Sequence, residues 1–89
     1  MDRKTIDPSK FNLNNRTVLV EIRPKHIGIV KNRKSRIIMK DGEKILNIAI
    51  QIKLVFPNTK VSLITNAQVC SKTAKYLLEN EIEVIHENM

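Results

Sequence analysis

The chain has 89 residues and a formal charge of +7, from 16 Lys and Arg against 9 Asp and Glu, so it has room for one core and a surface biased toward anions. Its single cysteine, Cys70, excludes an internal disulfide, and no Cys/His spacing suits zinc. With no charge-free apolar run of about 18 residues and no apolar N-terminal stretch, neither a membrane span nor a signal peptide is expected, and a reducing, cytoplasmic setting is.

Residues 1–15 are polar, contain Asp7-Pro8 and show no apolar period, which predicts a flexible arm or capping loop ahead of a single α/β domain over 16–89. Thr17 to Ile22 is the first strong strand, stopped by Pro24. His26 to Val30 and Ser35 to Lys40 read as two further strands around the turn KNRK, together a basic hairpin.

From Asp41-Gly42 onward the pattern supports two structures. Leu46, Ile48, Ile50, Ile52 and Leu54 alternate with Asn47, Gln51 and Lys53, as in a long strand following a turn. Equally, Ile45, Ile48, Ala49, Ile52, Val55 and Phe56 share one helical face, with Lys44, Asn47 and Gln51 opposite. The helix is favoured because the run is longer than an ordinary strand of about five or six residues and stops at Pro57.

Val61 to Thr65 then reads as a buried central strand, with Asn66 as N-cap of a helix carrying the stripe Val69/Cys70, Thr73/Ala74 and Leu77/Leu78. On that stripe Cys70 is a small core residue. Asn80 is expected to end the helix in the left-handed conformation, before a last strand over Ile82 to Ile85. Helix, strand, helix and strand joined by short connections imply parallel strands and right-handed crossovers. The fold class is therefore α/β: a small three-layer domain with a mainly parallel sheet plus an N-terminal basic hairpin.

Charge is unevenly distributed along the chain. Eight basic residues lie between Arg23 and Lys44 against Asp41 and Glu43 alone, whereas Glu79 to Met89 holds four Glu and no Lys or Arg. Lys31, Arg33, Lys34, Arg36 and Lys40 are the expected contacts to a nucleic-acid backbone, RNA ahead of DNA, or to an acidic protein partner. The aromatics Phe11, Phe56 and Tyr76 lie outside this stretch, so stacking on bases is not expected and recognition should be of backbone. Ligands gather at the carboxyl ends of strands in open α/β sheets, which places Thr65 and Asn66 beside any site. His26 and His86 form no expected catalytic pair.

The pieces DGEKILNIAIQIK, SLITNA and Lys72-Thr73-Ala74 resemble the C-terminal half of PIN-domain ribonucleases, in which acids precede a helix and a strand ends in T-N-D or T-D-D. Those enzymes hold Mg²⁺ or Mn²⁺ with carboxylates, since hard cations take oxygen ligands and activate water against a phosphodiester. The resemblance implies Glu43 and Asp41 as metal-binding and catalytic acids, with Glu21 on the first strand as a further carboxylate. The position of the acid after T-N is Ala67, so the resemblance is to a shortened or inactive metal-dependent nuclease.

The strand TVLVEIR, the basic segment and the closing strand–helix–strand also resemble Mrr-type restriction endonuclease domains. That family uses a strand Glu-x-Lys, for which this chain offers Glu21-Ile22-Arg23. Arginine keeps its proton and cannot act as a base.

Overall fold

Alternation of apolar residues builds five strands, β1 (Lys4–Ile6), β2 (Val18–Arg23), β3 (His26–Lys31), β4 (Lys60–Thr65) and β5 (Ile82–His86), in a computed structural model that describes residues 4–88. They form one sheet in the order β1-β2-β3-β4-β5. Helices α1 (Met39–Val55) and α2 (Ser71–Glu79) connect β3 to β4 and β4 to β5. No helix is long and apolar enough to cross a membrane among the described residues.

The sheet is mixed. β1, β2 and β3 pair antiparallel, whereas β3, β4 and β5 pair parallel, so the mainly parallel sheet expected from the sequence describes only its second half. The helical alternative for the Asp41–Phe56 region is the one adopted, and it starts earlier than expected, taking in Asp41 and Gly42. Gly42 lies where α1 meets α2: a Cβ there would sit 2.8 Å from Thr73 Cγ2, so the side-chain-free position sets the approach of the two helices. The signal that reads as a hairpin turn in sequence is thus a helix contact.

Three layers are not formed. From β3 to β4 to β5 the chain steps in one direction, and two right-handed crossovers in the same direction lay both helices on the same face. Ile45, Ala49 and Ile52 of α1 and Leu77 of α2 accordingly share a single core with Leu19, Ile27, Ile29, Val61, Leu63 and Ile82. Burying each of these aliphatic side chains other than Ala49 contributes about 1.5–3 kcal/mol before the entropy of ordering is subtracted. On the other face, which neither helix covers, Gly28 leaves room for Ile64 and Ile22: a Cβ on Gly28 would meet Ile64 Cδ1 at 2.5 Å.

The basic hairpin is also replaced. The hairpin that forms joins β2 to β3 through Pro24 and Lys25, with Lys25 at φ 65, the left-handed position that follows proline in a tight turn. Ser35 to Lys40 forms no strand: residues 32–38 are a loop to α1, anchored by Ile37, which makes an isolated parallel bridge to Val69. With Arg33, Lys34 and Arg36 within four positions, such a loop has no apolar face to pair with, and only Ile37 is buried there.

Over its described residues, the segment expected as an arm holds β1 and a 3-10 turn at Pro8–Phe11, and it ends by burying Phe11 against the core. Asp7 accepts a hydrogen bond from the Ser9 N–H at 3.0 Å, and Asn12 at φ 57 closes the turn. The end of α2 differs by one residue from expectation. Asn80 has φ −101, and the left-handed residue is Glu81 at φ 64.

Candidate functional site

Parallel strands in register finish at one level, which brings Lys31, Thr65 and His86 side by side as the last residues of β3, β4 and β5. Thr65 ties the row together: its Oγ1 donates to the Lys31 carbonyl at 2.7 Å and accepts from the Ala67 N–H at 3.0 Å. Beyond the row, the 32–38 loop and the 66–70 loop zip together through Ile37, whose N–H donates to the Gln68 carbonyl at 2.8 Å and whose carbonyl accepts from the Cys70 N–H at 2.9 Å. Both helices begin at this edge, so the positive ends of two helix dipoles point the same way.

Asn66 does not cap α2. Its Oδ1 accepts the Arg33 N–H at 3.0 Å, joining the two loops, and the N-cap is Cys70. Cys70 therefore lies outside the core, half-buried at the start of α2. The N–H groups of Lys72 and Thr73 hold its thiol below the usual range, with Arg36 adding to the effect. An open cleft of about 420 Å³ is lined by Arg36, Gln68, Cys70, Ser71 and His86. Sequence spacing concealed this grouping, because β5 runs one residue beyond its expected end and its register on β4 sets His86 beside Thr65.

Of the expected cations, Lys34, Arg36 and Lys40 are exposed at this edge, and Lys31 is half-buried at the end of β3. Arg33 is engaged: its guanidinium donates to Asp41 Oδ1 at 2.9 Å and to Ser35 Oγ at 3.0 and 3.2 Å. Asp41 in turn accepts the Ile38 N–H on Oδ2 at 3.0 Å, the reach-back of a helix N3 acid to its N-cap. Burial raises the Asp41 carboxyl, but the Ile38 N–H, the Arg33 guanidinium and Lys44 together hold it below its ordinary value.

Both oxygens of Asp41 are thus occupied by protein donors. Glu43 is exposed on the first turns of α1. Glu21 pairs with Ile27, four residues before Lys31 and so about 13 Å away along β3 at ~3.3 Å per residue. Among the described residues, no three His, Cys, Asp or Glu side chains gather to hold a metal ion. Asp41, Glu43 and Glu21 are therefore not gathered into one cluster of three carboxylates. The Glu21-Ile22-Arg23 strand likewise lies away from this edge, near the start of β3.

On the face of the sheet away from the helices, His26 Nε2 lies 2.7 Å from Ser62 Oγ. Burial, then the positive charge of Lys60, keeps the imidazole below its ordinary value of 6.5, with Glu83 opposing. The unfolded chain therefore takes up the proton first, and this group's effect is to remove stability as pH falls through about 6.5 toward the folded-state value. Thermal unfolding should show a larger loss between neutral and mildly acidic pH for the wild type than for His26→Gln. Equal losses would assign the pH dependence to other groups.

No family model matches the chain, and no curated protein matches it either. Among solved structures, the chain is similar to a repair endonuclease from Pyrococcus abyssi, with a TM-score of 0.65 over 80% of this chain and 11% sequence identity. The match covers 31% of that protein. The two share an α/β fold over the matched region.

Proposed function

We propose that this domain binds the sugar–phosphate backbone of nucleic acid at the carboxyl edge of its parallel strands, as a binding module rather than a metal-dependent nuclease. The observation that carries the proposal is the convergence there of Lys31, Lys34, Arg36 and Lys40 with the N-termini of both helices. Cations and the positive ends of helix dipoles together match a run of phosphates. The likeness in fold to a repair endonuclease supports a nucleic-acid ligand, and the engagement of Asp41 by Arg33 and Ile38 argues against Asp41 as a metal-binding acid. With Arg33 held by Asp41, the cations nearest the loop tip without an ion pair among the described residues are Lys34 and Arg36.

Binding of matched RNA and DNA strands, followed across a salt series, tests this directly. Each phosphate contact contributes a slope of about −0.7 to −0.9 in log affinity against log salt, so Lys34→Glu with Arg36→Glu should flatten the dependence by about two contacts and weaken binding about tenfold at low salt. Unchanged affinity and slope would move the function to an acidic protein partner. Loss of labelled RNA in Mn²⁺ that disappears in Glu43→Gln would restore the nuclease reading.

A further inference from the structure

At the opposite end of the sheet, the fold brings together aromatic and basic residues that are scattered in sequence. Phe11 from the 3-10 turn is buried and meets Phe56, which follows α1, edge to face, with centroids 5.7 Å apart and planes at 75°. Phe56 itself is 48% exposed. A cleft of about 320 Å³ lies to one side of it, lined also by Lys10, Glu21, Arg23 and Lys25. A second cleft of about 200 Å³, reached past Pro57, shares both Phe56 and Lys25 with the first. Among the described residues, Lys10, Arg23 and Lys25 form no ion pair with a carboxylate.

We infer that Phe56 is a stacking platform for one unpaired base of single-stranded nucleic acid, with Lys10, Arg23 and Lys25 holding the flanking phosphates. The inference rests on the nucleic-acid reading above and adds to it a second site and a strand preference. An exposed ring held edge-on by a buried neighbour is already positioned, so stacking a base on it costs little ordering. Cations on the cleft walls suit a ligand that carries charge on both sides of a flat apolar group, which is the chemistry of a nucleotide within a strand. Glu21 in the same cleft offers an acceptor to the amino group of a base. A duplex keeps its base faces stacked internally and offers none to Phe56.

Fluorescence anisotropy with a short labelled single strand, a hairpin duplex of the same composition and an acidic peptide separates the outcomes. Phe56→Leu keeps an apolar side chain but removes the stacking face. It should weaken single-strand binding about tenfold, the loss of one base stack, and leave duplex binding unchanged. Phe56→Trp should restore single-strand affinity, and Arg23→Glu with Lys25→Glu, at exposed positions that burden no core, should lower it. Wild-type single-strand affinity in Phe56→Leu, or a loss confined to the acidic peptide, overturns the inference while leaving the carboxyl-edge site intact. Failure of the wild type to bind either oligonucleotide overturns both.

Discussion

Replacing Ile37 with alanine should cost about 2–5 kcal/mol of stability, a large fraction of the 5–15 kcal/mol that holds an ordinary domain together. Ile37 has no exposed surface, although it sits in the most basic stretch of the chain. Its side chain belongs to the core, and its backbone makes two of the hydrogen bonds that tie the 32–38 loop to the 66–70 loop, beside the one from the Arg33 N–H to Asn66. Truncation opens a cavity that those loops cannot collapse to fill without breaking these bonds, so the transfer loss and the cavity term add. The neighbouring Ile38 is 49% exposed and provides the control: Ile38→Ala should cost less than about 1 kcal/mol, as at an ordinary surface position. Urea unfolding measures both variants, and amide exchange at Ile37 and Cys70 shows whether the loops part before the core does. A cost below about 1 kcal/mol for Ile37→Ala would mean that the loops are not held by that side chain, and that the positions of Lys34 and Arg36 are not fixed by it.

Local pattern carried much of this architecture, and what it missed was set by long-range pairing. The helical face of Ile45, Ala49 and Ile52 and the apolar strand Val61–Thr65 were legible because their periods are strong and Pro57 separates them. Layer number was not legible in any one segment, because it depends on the direction in which successive crossovers step. Ser35 to Lys40 has enough isoleucine to read as a strand, but it meets only one partner residue, Val69. The site divided in the same way. The cations at 31–40 were visible as a charge cluster, and the structure keeps them at one edge. Arg33 and Asp41 could not be recognised as partners from sequence, and their ion pair removes one cation from the candidate interface and one acid from the candidate metal site. Phe11 and Phe56 are 45 positions apart, and nothing local connects them or places either beside Arg23 and Lys25.

Phe11→Ala should destabilise the domain by about 3–5 kcal/mol, the range for removing a buried aromatic ring. The sequence around Phe11 gives no warning of this, because Asp7, Pro8, Ser9 and Lys10 before it and Asn12 after it look like solvated chain. The structure gives those polar residues a turn to make: Asp7 caps it, Pro8 starts it, and the Leu13 N–H closes back onto the Pro8 carbonyl at 3.1 Å. One large side chain is thereby driven under the end of α1, where it is 1% exposed and supports the ring of Phe56. If the segment acts as a plug, denaturant unfolding of Phe11→Ala shifts its midpoint in a single cooperative transition. If it acts as a separable arm, the midpoint stays within error of the wild type and only the environment of Phe56 changes. Phe11→Leu distinguishes volume from edge-to-face geometry, since leucine refills most of the cavity but loses the aromatic contact, worth about 0.5–1.5 kcal/mol. A leucine variant close to wild type in stability but weakened in single-strand binding would show that Phe11 acts on Phe56 through ring orientation, and so links the first residues of the chain to the groove at the far end of α1.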